Sequence, residues 1–181
     1  TVGVGNVWGE ETVLFEPTGK TITSGNITVS TGNTTPSELT IAGEETNGWK
    51  IDSKGTITIS STLPNIKSIT ILGCTSTDGM GKELCGDVKV SLDGETFSTI
   101  TSGVTIVDAD GTQTTGAGFA LVKKGNKPAC TMTITFDNTQ RYVQISRAAK
   151  GKQMNIASIS VEKVELQTYD ITYQSNGGTT I

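Results

Sequence analysis

The sequence predicts an all-β chain, an antiparallel β-sandwich of the jelly-roll kind with very little helix. Three observations carry that expectation. Of 181 residues, 32 are Thr, 15 Ser and 17 Ile, and β-branched side chains pack well on a pleated surface. Apolar residues recur at every second position, and no stretch has the i, i+3, i+4, i+7 spacing of an amphipathic helix. The alternating runs are short and separated by Gly, Asn and Asp turn signals, the pattern of a sandwich or jelly roll.

In chain order, Val13-Leu14-Phe15 opens the ordered region. Thr21-Ile22-Thr23 and Asn26-Ile27-Thr28-Val29-Ser30 follow across Ser24-Gly25, and Leu39-Thr40-Ile41 is another short run. Trp49-Lys50-Ile51-Asp52 leads through Ser53-Lys54-Gly55 into Thr56-Ile57-Thr58-Ile59-Ser60, and Ile66 to Leu72 forms the next strand. Val88-Lys89-Val90-Ser91-Leu92 runs into Asp93-Gly94, a strong hairpin signal, with Thr96 to Ile100 returning from it. Val104 to Val107, Phe119 to Val122 and Thr131 to Phe136 are strands. After a turn at Asp137-Asn138 come Arg141 to Ser146 and then Ile156 to Val164.

The chain length suits one main domain. Residues 1–165 hold the sandwich. Residues 166–181 read as a linker and the opening strand of a second module, or as a last edge strand of the first. The chain has no His, which excludes a His base, a His metal ligand or a Ser-His-Asp relay. Net charge is -4, from 14 Lys+Arg against 18 Asp+Glu, with no basic patch, so no nucleic-acid partner is expected. No apolar run reaches the ~18 residues of a membrane span, so no membrane insertion is expected either. A start at Thr1 without a signal-like stretch reads as a processed protein or a piece of a longer one.

Cys74 and Cys85 bracket a short Gly-containing loop. A disulfide there would stabilise it by roughly 2–3 kcal/mol in the chain-entropy model; the alternative is reduced, half-buried thiols. Cys130 reads as a core thiol, and three scattered thiols without His do not make a zinc site.

Two stretches resemble the galactose-binding-like jelly rolls of the discoidin and carbohydrate-binding-module superfamily. They are Val88 to Phe97, a strand, Asp-Gly turn and aromatic, and Arg141 to Ile145 followed by Ile156 to Val161, similar to the group's penultimate and closing strands. The resemblance covers residues 55–165 and lies in core strands, so no ligand residue carries over from it. Tyr169 to Gly178 is similar to the first strand of the small repeats of Listeria and Bacteroides surface proteins. Together these imply a secreted or cell-surface bacterial protein whose module works beside other domains of the same chain.

A glycan partner asks for a flat apolar ring within reach of planar polar groups. Trp49 shares a strand face with Ile51 and is assigned to the core. Trp8 has no such phase and is the candidate platform, with Asn6 and Glu10 beside it in sequence. Asp78 and Lys82, in the Cys-bracketed loop, are its candidate polar neighbours. Asp108-Ala109-Asp110-Gly111 resembles the start of a calcium loop, but position 12 is Phe119, which excludes an EF-hand-like loop. A looser calcium site stays open, and no cofactor is expected. Glu10-Glu11, Glu44-Glu45, Asp108/Asp110 and Glu162/Glu165 offer no natural catalytic pair, since adjacent acids on a strand face opposite sides. The expectation is a non-catalytic carbohydrate-binding module; the alternative is a structural or adhesive sandwich that binds no sugar.

Overall fold

The computed structural model describes residues 7–41, 43–52, 55–75, 88–107, 113–115, 130–146 and 153–167. In chain order the strands are β1 (Val7–Phe15), β2 (Thr21–Ser24), β3 (Ile27–Ser30), β4 (Ser37–Ile41), β5 (Glu44–Ile51), β6 (Thr56–Ser61) and β7 (Ile66–Thr75). Then come β8 (Val88–Ser91), β9 (Ser98–Thr99), β10 (Val104–Val107), β11 (Gln113–Thr115), β12 (Cys130–Gln140), β13 (Tyr142–Ser146) and β14 (Met154–Gln167). No helix occurs among the described residues. Every pairing is antiparallel, and the strands form two sheets packed against each other, as the alternation predicts.

The first sheet runs β11-β10-β12-β7-β14-β5-β4, with β1 also on β14; the second runs β2-β3-β6-β13-β8-β9. One face of each sheet supplies the core. Trp49, Ile51, Ile69, Ile71, Met132 and Ile134 come from the first sheet, and Ile27, Val29, Ile57, Ile59, Val143 and Ile145 from the second. Trp49 is fully buried, as its phase with Ile51 implies, and its Nε1 donates to the Gly19 carbonyl at 2.9 Å. A buried indole N–H without that acceptor would leave a costly orphan donor.

β14 is the spine of the first sheet. One edge pairs with β7; the other pairs with β5 through Met154–Ile156 and with β1 through Ile159–Gln167. The register slips between Ile156 and Ser158. Without that bulge, Ile156 and Ile159 would face opposite sides; with it both are buried in the core. Further along the same face, Lys163 points inward and is only 8% exposed. Its ammonium reaches Glu165 at 3.0 Å, Glu11 at 3.5 Å and, from the second sheet, the Asn26 side-chain carbonyl at 3.1 Å. The hydrogen-bonded Glu165 carboxylate, with Glu11, outweighs the desolvation and raises the Lys163 pKa.

Three expectations need correction. Strand structure begins at Val7 rather than Val13. Gly9-Glu10-Glu11 shows no alternation, but nine-residue pairing with β14 satisfies the backbone regardless of propensity. The hairpin expected at Asp93-Gly94 is present, with β8 antiparallel to β9, but the returning strand is only Ser98–Thr99 rather than Thr96 to Ile100, and the connection from Ser91 is held by side chains described below. Asp137-Asn138 does not end a strand but lies inside β12. β14 runs through Glu165 to Gln167; residues 168–181, like the Phe119 to Val122 run and the Asp108 to Gly111 loop, lie outside the described residues.

Candidate functional site

Of the residues the sequence nominates, Asn6, Asp78 and Lys82 lie outside the described residues, as does Cys85. Cys74 is buried, with its Sγ 3.8 Å from the Thr40 carbonyl. The Trp8 backbone pairs with Leu166 within β1 and β14; its side chain, like that of Cys130, lies outside the described residues. Glu10 is committed elsewhere. It accepts from the Lys67 ammonium on β7, which also reaches Glu162 at 3.6 Å. The Lys67 hydrogen bond lowers the Glu10 pKa. Adjacent acids do take opposite faces: Glu10 and Glu162 meet Lys67, whereas Glu11 and Glu165 meet Lys163. Two carboxylates that sequence reading left unpaired approach one another on the β4–β5 hairpin, where the hydrogen-bonded Glu45 raises the Glu38 pKa. Both are exposed.

A concave surface forms at a different corner, where β12 leaves the first sheet and the chain turns into β13 of the second. Thr135 pairs with Ser68 and Gln140 with Ile66, so Phe136 to Thr139 face Lys67 alone. The surplus residues form a bulge, a device that re-aims side chains. Phe136 turns into the core at 8% exposure, and Asp137 and Asn138 are left exposed. The opposite wall is the β9–β10 connection, Thr99 to Ser102.

Both walls are pinned. The Ile100 N–H donates to the Val88 carbonyl at 2.9 Å, and the Thr135 N–H donates to the Gly103 carbonyl at 2.8 Å. Gly103 has φ +83°, and a Cβ there would sit 2.2 Å from the Thr135 carbonyl oxygen, so only glycine allows this approach. Between the walls lies a cleft of about 220 Å3, lined by the hydroxyls of Thr99, Thr101 and Ser102, the Asp137 carboxylate and the Asn138 and Gln140 amides. No family model matches the chain, and no curated protein matches it.

Gln140 also lines a second cleft of about 410 Å3, shared with Val90, Leu92, Asp93, Thr96 and Ser98. Leu92 is 58% exposed there. The wall around Asp93 is built by that residue's own side chain. One carboxylate oxygen accepts the N–H groups of Thr96 and Glu95 at 2.8 Å and the Ser91 hydroxyl at 2.9 Å. These bonds, the backbone ones first, hold the Asp93 pKa down to about 2. The adjacent Gly94 has φ +80° and lies against the Tyr142 ring, which also carries the Arg141 guanidinium 5.3 Å from its centroid. Arg141 Nε donates to the Ser61 carbonyl at 3.2 Å.

The first cleft is mostly polar, with Ile100 and Phe136 as its apolar contacts, and the second mixes polar and apolar lining about equally, Val90 and Leu92 supplying the latter. Hydroxyls and amides both donate and accept, which suits a ligand that does the same. Sequence reading missed this site because its walls come from separate segments, each read as turn or strand. The surplus of residues between Phe136 and Arg141 was the only available signal.

Proposed function

We propose that this chain is a non-catalytic carbohydrate-binding module of a secreted or cell-surface bacterial protein, with the adjoining clefts at the β12 bulge as its site. The observation that carries this reading is the lining: hydroxyl, amide and carboxylate groups converge on preformed clefts that share Gln140. The second cleft alone, at about 410 Å3, falls within the roughly 300–1,000 Å3 usual for ligand sites. Support for a non-catalytic role comes from the acids. Glycoside cleavage needs two carboxylates about 5–10 Å apart across a cleft. Here each cleft holds a single carboxylate, Asp137 in the first and Asp93 in the second, Asp93 is engaged by its own loop, and Glu38 and Glu45 lie exposed on a hairpin.

A glycan array probed with the intact chain tests the reading. Binding is expected, and Asp137→Ala and Gln140→Ala should each weaken it by at least about fivefold while the thermal midpoint is kept. A broad array with no binding would overturn it. One observation favours a structural or adhesive module instead. Among the described residues no aromatic ring stands free: Phe15, Trp49 and Phe136 are buried, and Phe97 and Tyr142 are half-buried. A blank array would leave that second reading in place.

A further inference from the structure

We infer that the clefts select neutral glycans and turn away glycans that carry uronate, sialate or sulfate groups; this rests on the carbohydrate-binding reading above. The reason is the sign of every charge that lines them among the described residues. Each cleft has one carboxylate, Asp137 in the first and Asp93 in the second, and neither has a described Lys or Arg in its lining. The hydrogen bonds that hold the Asp93 pKa at about 2 keep that group anionic through the neutral range.

Nearby cations are occupied or displaced. Lys67, opposite the bulge, is held by Glu10 and Glu162. Arg141, next to Gln140, is spent on the Ser61 carbonyl and the Tyr142 ring. Lys89 pairs with Thr99 across β8 and β9 but does not line either cleft. An acidic sugar entering here would lose hydration beside a like charge and gain no counter-ion among the described lining residues. A neutral sugar meets hydroxyls and amides that match its own hydroxyls, with Ile100, Phe136, Val90 and Leu92 as apolar contacts. The net charge of -4 acts in the same direction at longer range.

The experiment is an array of matched neutral and acid-bearing glycans probed with the intact chain at ~0.05 M and ~1 M salt, alongside Asp137→Asn. Two carboxylates in and near water repel at about 1 kcal/mol at ~4 Å, so acid-bearing members should bind about fivefold weaker at low salt. The gap should narrow at high salt, where screening falls to ~3 Å, and also in Asp137→Asn. Acidic glycans binding as well as neutral ones would sink this inference while leaving the carbohydrate-binding reading standing. A gap unmoved by both salt and Asp137→Asn would likewise overturn it, because selectivity would then come from shape. No binding to any member would remove both.

Discussion

Two residues show how single side chains hold this fold in opposite ways. Trp49 works by volume: fully buried and hydrogen-bonded to Gly19, it joins β5 to the connection between β1 and β2. Trp49→Ala should cost about 3–5 kcal/mol, read from denaturant midpoints at unchanged slope. Asp93 works by charge on an exposed loop. Its folded pKa, about 2, lies below the ordinary 3.8, so its contribution is complete above 3.8 and lost as pH falls towards 2. Melting curves should therefore separate wild type from Asp93→Ala near neutrality and converge as pH drops through that window. A separation that stays constant to pH 2 would mean the turn does not depend on the ionised carboxylate. The sequence reached Trp49 by strand phase alone, because Ile51 two positions on fixes the face. It could not reach Asp93's role, since Asp-Gly reads equally as a two-residue hairpin or, as here, as a longer loop wrapped around one carboxylate.

At the level of elements, alternation made most strands legible. Ile57/Ile59 and Val143/Ile145 are written as inward-facing pairs and are found so. The first half of β1 was not legible, because Gly9-Glu10-Glu11 becomes a strand only through β14, a partner some 150 residues away in sequence. The register shifts were hidden as well, the one between Glu162 and Lys163 among them. The slip near Ala157 restores inward phase within Ile156-Ala157-Ser158-Ile159, and the excess at Phe136–Thr139 looks like a turn. The nominated site followed the aromatic platform rule to Trp8 and Glu10, and Glu10 proved to be one end of a cross-strand ion pair with Lys67. The cleft wall depends instead on an unremarked glycine. Gly103→Ala would force a Cβ into the Thr135 carbonyl and hold a positive φ, so a loss of at least about 1–2 kcal/mol is expected. The amide signals of residues 99–102 and 135–138 should shift together in that variant. If only the first set moves, the two walls are not coupled through Gly103.

For the whole molecule, the two sheets share one core, and Lys163 ties them at one edge by reaching from β14 to Asn26. The β1–β14 pairing has a further, mechanical meaning. Val7 lies opposite Gln167, so the two outer ends of the β1–β14 ribbon lie side by side. Tension applied through those two ends pulls across the ladder and breaks its hydrogen bonds one after another, as a zip opens, rather than loading all of them at once. Single-molecule stretching should therefore give a lower rupture force through handles at positions 7 and 167 than through handles at positions 7 and 158, which would load the same ribbon lengthwise. Equal forces would show that rupture starts elsewhere. Held at Val7 and Gln167 the fold hangs like a pendant on a loop of thread, and it could be drawn straight only after β1 had peeled away from β14.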